Sequence, residues 1–536
     1  MLDLAIVLVY FAAIFLVALS GRQDKNVSTE TYFLSNRSLR WPSIALSTIA
    51  TNINGYQFLG MMGSAYLYGL AQASLEINAV QGILIAAFIF VPMYLRDRVI
   101  TVTQFINNRL GKRVGLAYAL ANLALFSTIT LGAALFWGAY AAELVFSDYL
   151  RILSDNPLIQ RLGEALFANY DTSPELSQLM RVGVLLIGLG IFSAIYTYLG
   201  GLNAVVKTDV IQFAILLTGG ILIVVVIIRE LGGWGMLYEK TPELMQLHLP
   251  ADHPTLPWIH MFGLFLMNIN YWCANQTIMQ RSFAAKSLKE AQLGLMVGGA
   301  LKYAMAVVIV VPGIALAGIL IDNGLTDPDN AFPYIVSTYM PVGIKGLILC
   351  ALFASLMSTV DSTFNSLATL WSIDIYKAYL RPHASEQQVV QAGRRAILVT
   401  LFTGILMGLI LLYLKFENPE AAFTHTLNEL RYYINCGIVV LICSAGLMIA
   451  PNHRAALLAF VSTIPLHLTI IAVFPDMNYF IRAMWVILIA FGFLAAVSHK
   501  HGWKSRKDLF VSASPVLTKV GFGLLASLVS LHIIFH

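Results

Sequence analysis

Charge is what this chain has least of: Asp, Glu, Lys and Arg together make up 11% of its 536 residues, against about 25% in a soluble domain. Hydrophobic residues reach 58%. Apolar runs near the spanning length of about 20 residues recur from one end to the other. The chain therefore reads as an integral membrane protein, with no segment long enough for a separate soluble domain. Cysteine is equally scarce. Cys273, Cys350, Cys436 and Cys443 all fall inside apolar segments, with neither metal-ligand spacing nor a disulfide pattern, so they read as packing residues. The eleven histidines show no pairing across spans that would hold haem, and no nucleophile–base arrangement is visible, which argues against a membrane enzyme. The net charge of +5 comes from Lys and Arg clustered between spans on alternate sides and describes topology, not a nucleic-acid face.

The first apolar span, residues 1–20, has Asp3 before it and Arg22 after it. Without a basic front end or a small-residue cleavage site, it reads as an anchor helix with its N-terminus outside. Further spans are expected at about 42–67, 73–95, 115–146, 181–199, 205–229, 258–278, 292–321, 343–375, 393–415, 427–449, 454–474, 480–498 and 515–535, about fourteen in all. The basic loops after the first, third, seventh, ninth and thirteenth spans, which carry Arg37, Arg113, Arg281, Arg394 and Lys504 among others, are expected to be cytoplasmic. Acidic and Pro-rich connections, 147–180 and 322–333, fall on the opposite side.

One stretch of the second span, residues 47–66, carries Thr51, Asn52, Asn54, Gly55 and Gln57 where a plain spanning helix would carry Leu. In lipid every backbone polar group must be paired, so an unwound segment survives only buried in protein or lining a cavity. Discontinuous helices near the bilayer midplane are where transporters hold ion and substrate. The tripeptide Asn52–Ile53–Asn54 recurs as Asn268–Ile269–Asn270 in the seventh span. Separation by five spans puts the second copy upside down relative to the first, as an inverted repeat requires.

In the ninth span Ser355, Ser358, Thr359, Ser362 and Ser366 fall at helical spacings and share one face. Hydroxyls and free carbonyls suit a small hard cation, sodium better than calcium, which would want carboxylates. The same stripe also fits close helix packing. Glu76, Lys302 and Asp361 are ionisable residues inside spans, each needing a partner or a cavity. Glu76 and Lys302 fit either a structural ion pair or two hydrogen-bonding arms for a polyhydroxyl substrate. Asp209 fits a helix N-terminal acid or a ligand.

The segments 196–212 (YTYLGGLNAVVKTDVIQ), 271–288 (YWCANQTIMQRSFAAKSL), 332–347 (FPYIVSTYMPVGIKGL) and 364–377 (FNSLATLWSIDIYK), with the hydroxyl stripe, resemble the sodium:solute symporter family, specifically its sodium/sugar branch. The resemblance covers about 40–450. It implies an all-α membrane fold of LeuT type, with a 5+5 inverted-repeat core, discontinuous first and sixth core helices and alternating access. On that basis 1–41 is an anchor helix and loop, 42–229 the first repeat, 230–257 a connection, 258–449 the second repeat and 450–536 three accessory helices.

Carried over by position, the resemblance implies a sodium site of Ala50 and Ile53 carbonyls with Ser355, Ser358 and Thr359 hydroxyls. A second cation site used by some members matches Asp209, Asp361 and Ser362, and the acid at 361 is a departure. Sugar contacts match Asn52, Gln57, Glu76, Asn268, Lys302 and Asn428, with Tyr271 as inner gate and Trp272 beside it. Position 428 is usually Gln, Leu75 and Thr424 stand where outer-gate aromatics are common, and Glu429 and Arg431 add charge nearby. The implied activity is sodium-coupled uptake of a sugar or sugar-like polyol across a cytoplasmic membrane, with both termini outside. Rivals are a symporter for an amino acid, carboxylate or sialic acid, and a transporter-like sensor. A sensor would need a signalling domain, and none is expected after His536.

Overall fold

The computed structural model describes residues 2–23, 27–167, 173–321, 324–325, 327–417, 423–499 and 502–536, with the side chains at 148, 423–426, 428, 506 and 507 outside the description. The described residues form helices and, beyond three isolated bridges, no strand. Eleven of these helices are long and apolar enough to cross a membrane. The expected fourteen spans are a finer count than these eleven. The 58-residue helix Pro174–Leu231 would run about 87 Å if straight, nearly three hydrocarbon thicknesses. It bends at Gly201, where φ is +56°. A Cβ there would lie 2.4 Å from the Tyr32 carbonyl oxygen, so only glycine fits. The Tyr32 hydroxyl donates to the carbonyls of Thr197 and Tyr198 at 3.2 and 3.0 Å, holding the turn before the bend.

At the centre lies Ile344–Thr369, in which every residue from Ile348 to Thr369 is buried. It packs along the bent helix, and the hydroxyl stripe lies on it. Asp3 fixes its start. Expected before the first span, Asp3 sits in the first turn of Leu2–Ser20, fully buried, and its carboxylate accepts from the backbone N–H groups of Gly343 and Gly346 at 2.7 and 2.8 Å. These donors have no partner inside the helix they open, and the carboxylate sits at the positive end of its dipole. The anchor helix therefore caps the hydroxyl-bearing helix. All four cysteines are free, and Cys273, Cys350 and Cys436 are buried.

Candidate transport site

The first polar stretch breaks where expected. The helix Trp41–Asn52 ends at Ile53, whose φ and ψ of −83° and 124° are extended, and helix resumes through a wide π turn, Gln57–Met61, into Met62–Tyr68. The side chains within the stretch pair much of the opened backbone. Gln57 Oε1 accepts from the Asn54 N–H at 2.8 Å, Gln57 Nε2 donates to the Asn52 carbonyl at 3.1 Å, and Asn54 Oδ1 accepts from the Tyr56 N–H at 2.9 Å. Gln57, expected as a sugar contact, thus holds the break itself, although it also lines the cavity beside it.

The Ile53 carbonyl is met by the hydroxyl stripe. Ser355 donates to it at 3.0 Å and Thr359 at 3.4 Å, while Thr359 also reaches the carbonyl of Thr51 at 3.1 Å. Two aliphatic hydroxyls and two carbonyls therefore converge at one buried place. Each hydroxyl carries lone pairs as well as its proton, so rotation turns the same set from hydrogen-bonded to cation-coordinating. Ile53, Ser355 and Thr359 are brought together. Ser358 points elsewhere, donating to Asp209 Oδ1 at 2.5 Å. Ala50 is buried one turn before the break.

Arg281 was expected in a cytoplasmic loop. It is instead fully buried on the helix Gln276–Phe283 and sits among the residues of the expected second cation site. Its guanidinium donates to Ser47 Oγ at 2.9 Å, Thr51 Oγ1 at 2.8 Å and Asp209 Oδ2 at 3.1 Å, and also to Ser362 Oγ and the Thr277 carbonyl. Asp209 accepts from Ser47 and Ser358 as well. Asp361, the third expected ligand, accepts from the Tyr196 hydroxyl at 2.6 Å, with Ser362 Oγ 3.4 Å away. A resident guanidinium thus neutralises Asp209 and satisfies the neighbouring hydroxyls. The residue pattern missed Arg281 because it was grouped with Lys286 and Lys289. Its four-residue spacing from Thr277, on a helix polar along one face, is the signal that finds it.

The second break lies about five residues beyond the Asn268–Asn270 expected for it. The helix His260–Ile269 runs into a π turn, Asn270–Ala274, and the extended residue is Asn275, with φ −73° and ψ 115°. Asn275 Oδ1 accepts from the Thr277 N–H at 2.9 Å and starts the next helix. Two tyrosines close the opened carbonyls, Tyr94 donating to Cys273 at 2.6 Å and Tyr118 to Ala274 at 2.8 Å. Asn268 stays helical, its Nδ2 donating to the Asn78 carbonyl at 3.1 Å. Gly82 permits this approach, since a Cβ there would lie 2.7 Å from the Asn268 carbonyl oxygen and 2.8 Å from the Trp272 ring.

Between the breaks lies a cavity of about 300 Å³ whose lining includes Asn52, Gln57, Glu76, Asn268, Tyr271, Trp272 and Lys302. Five of these sit on the two broken stretches and Glu76 and Lys302 on neighbouring helices, so these expected sugar contacts share one space. Lys302 donates to Glu76 and, at 2.6 Å, to Asn52 Oδ1, and all three side chains are at least nine-tenths buried. The rings of Tyr271 and Trp272 meet edge-on with centroids 5.3 Å apart. Leu75 lines the cavity too. The side chains of Asn428 and Thr424 lie outside the described residues.

Residues 32–151 and 176–423 match the sodium:solute symporter family. The chain belongs to that family. As a member it is a sodium-coupled solute transporter with several membrane spans, not an enzyme, and sodium is its coupling ion. The symporter is 28% identical over 557 residues to the sodium/glucose cotransporter of Vibrio parahaemolyticus, covering 98% of this chain and 95% of that one. It is 28% identical to the sodium/glucose cotransporter 1 of Oryctolagus cuniculus and to the sodium/myo-inositol cotransporter of Mus musculus, over 73% of this chain in each case. It spans 60% and 56% of those two longer proteins. Its structure is similar to the substrate-bound outward-open state of a Na⁺-coupled sialic acid symporter, with a TM-score of 0.76 at 19% identity over 94% of this chain and 99% of that one. It is also similar to the closed conformation of Mhp1, a nucleobase-cation-symport-1 family transporter, with a TM-score of 0.50 at 13% identity over 91% and 97%. These likenesses establish the LeuT-type fold of the symporter.

Proposed function

We propose that this symporter couples inward sodium movement to uptake of a sugar or sugar-like polyol across a cytoplasmic membrane. The observation that carries the proposal is one cavity, walled by Glu76, Lys302, Asn52 and Asn268, directly beside the broken helix whose Ile53 carbonyl meets Ser355 and Thr359. A carboxylate accepts from sugar hydroxyls and an ammonium donates to them, and charge-assisted bonds of this kind contribute about 1.5–3 kcal/mol each. Tyr271 and Trp272 offer the apolar faces a sugar ring needs. Because Asn52 both contacts Lys302 and ends the helix that leads to Ile53, sodium at the break orders the substrate wall. The rise in substrate affinity with sodium then equals the rise in sodium affinity with substrate.

Sodium is held by the Ile53 and Ala50 carbonyls with the Ser355 and Thr359 hydroxyls, and Ser358 reaches it by turning from Asp209. One sodium moves per cycle, because the Arg281 guanidinium already supplies the positive charge that Asp209 and Ser362 would offer a second ion. The bend at Gly201 and the two broken helices turn eleven apolar helices into fourteen crossings, with the repeats at 42–229 and 258–449 and both termini outside. Uptake of labelled sugars and polyols into proteoliposomes, with and without an inward sodium gradient, tests the reading. Sodium-dependent accumulation of at least one of them is expected. Accumulation of amino acids with no response to any sugar would overturn it.

A further inference from the structure

A second cavity, of about 310 Å³, shares no lining residue with the substrate cavity. Its lining is apolar, with Ile191, Ile195 and Tyr198 from the first half of the bent helix Pro174–Leu231 and Leu398 and Leu401 from the helix Glu386–Glu417. Ile191 and Ile195 are 45% exposed and Leu398 54%, so this groove opens to the lipid around the protein. One end of it is basic. Arg394 stands one helical turn before Leu398 and is nine-tenths buried. Its guanidinium lies over the ring of Tyr198, 5.6 Å from the centroid, and over that of Tyr32 at 5.2 Å. Among the described residues Arg394 makes no ion pair, and its Nε is buried without a hydrogen-bond partner. Glu386, two turns earlier on the same helix, accepts instead from the Thr29 N–H at 3.3 Å. Two exposed cations flank the same end. Arg395 follows Arg394, and Arg22 precedes Gln23, whose N–H donates to the carbonyl of the groove residue Leu199 at 3.1 Å. This is the side that the positive-inside rule assigns to the cytoplasm. From Tyr198 the groove runs about 10 Å along the helix axis to Ile191.

We infer that this groove binds an anionic glycerophospholipid, with its phosphate on Arg394 and one acyl chain between Ile195 and Leu398. A guanidinium stacked on aromatic faces keeps the N–H donors of its edge, and these match a phosphate. A buried cation at the membrane boundary is costly until an anion meets it, and basic pockets between spans are where anionic headgroups settle. A zwitterionic lipid fills the apolar part equally well but brings its own cation towards Arg394 and Arg395, so the headgroup decides the preference. The Tyr32 hydroxyl, which holds the Thr197 and Tyr198 carbonyls before the bend at Gly201, belongs to one of the two rings under the guanidinium. The bound lipid therefore braces that bend.

The test is native mass spectrometry of the delipidated full chain in detergent, titrated with dioleoyl phosphatidylglycerol and, separately, with dioleoyl phosphatidylcholine, which carries the same chains. The native protein should bind the first phosphatidylglycerol at least fivefold more tightly than phosphatidylcholine, and Arg394→Gln should bring the two lipids level. Equal binding of both lipids by the native protein overturns the inference, as does a phosphatidylglycerol preference that survives in Arg394→Gln. A second measurement needs no variant, so an Arg394→Gln protein that fails to fold does not remove the test. Phosphatidylglycerol with a diazirine on one acyl chain, photolysed on the native protein in nanodiscs, should label residues 191–199 and 398–401 at least fivefold more than the matching phosphatidylcholine probe does. Labelling confined to other segments overturns the site. Equal labelling of the groove by the two probes makes it a place for any lipid and overturns the role of the phosphate.

Discussion

The two broken helices solve the same backbone problem with different chemistry. At the first break the Ile53 carbonyl is met by Ser355 and Thr359, aliphatic hydroxyls that rotate about a single bond. At the second the carbonyls of Cys273 and Ala274 are met by Tyr94 and Tyr118, phenols whose rings are buried and wedged among other side chains. A hydroxyl that turns can hand its carbonyl to a cation and add its own oxygen to the shell. A buried phenol would have to withdraw a whole ring. Breaking a helix therefore does not by itself make an ion site; the groups that meet the broken end decide whether it is exchangeable or sealed. Arg281 joins the two regions, since it stands on the helix after the second break and donates to Ser47 and Thr51 on the helix before the first.

That junction gives the largest expected effect. Arg281→Met strands the fully buried Asp209 and should cost about 3–5 kcal/mol of stability, whereas Arg281→Met with Asp209→Asn should recover most of it. Thermal melting of the purified variants in detergent checks this, and equal losses in the single and double variants would mean that the guanidinium is not the counter-ion of Asp209. Next in size, Glu76→Gln and Lys302→Met should each weaken substrate affinity by roughly 10-fold to 100-fold. If they read substrate, the double variant stays weak. A double variant with native affinity would reduce them to a structural pair. At the sealed break the effect is of similar size but falls on stability and not on binding: Tyr94→Phe or Tyr118→Phe removes one hydrogen bond and should cost about 1–3 kcal/mol, because a buried carbonyl loses its partner. Denaturation profiles measure that loss, and the sodium dependence of uptake should not move with it.

The first break was legible because polar residues in an apolar span have few other uses, whereas the expected cavity contacts came by position from the family resemblance. The second was displaced by its own asparagines. Asn268 spends its amide on the Asn78 carbonyl of a neighbouring helix and stays helical, while the residue that opens the chain is Asn275, legible only as a helix N-cap ahead of Gln276 and Thr277. Gln57 was read as a ligand because its role in pairing the Asn52 and Asn54 backbone appears only once the chain is bent. Arg281 and Asp3 were placed outside spans because a charge near a span end reads as a loop charge. Each is instead neutralised by partners distant in sequence, Asp209 for one and the Gly343 and Gly346 amides for the other. Such long-range pairing has no local period to betray it.

The contrast between the exchangeable and the sealed break is tested most directly by the sodium concentration that gives half-maximal substrate uptake, measured for Ser355→Ala and Thr359→Ala beside Tyr94→Phe and Tyr118→Phe. Removing one neutral oxygen from a cation shell should raise that concentration by roughly fivefold or more in each hydroxyl variant, a loss of about 1 kcal/mol or more. The two phenol variants should keep the native value. Native sodium dependence in both hydroxyl variants, or a comparable rise in the phenol variants, would contradict the assignment of the ion to the first break.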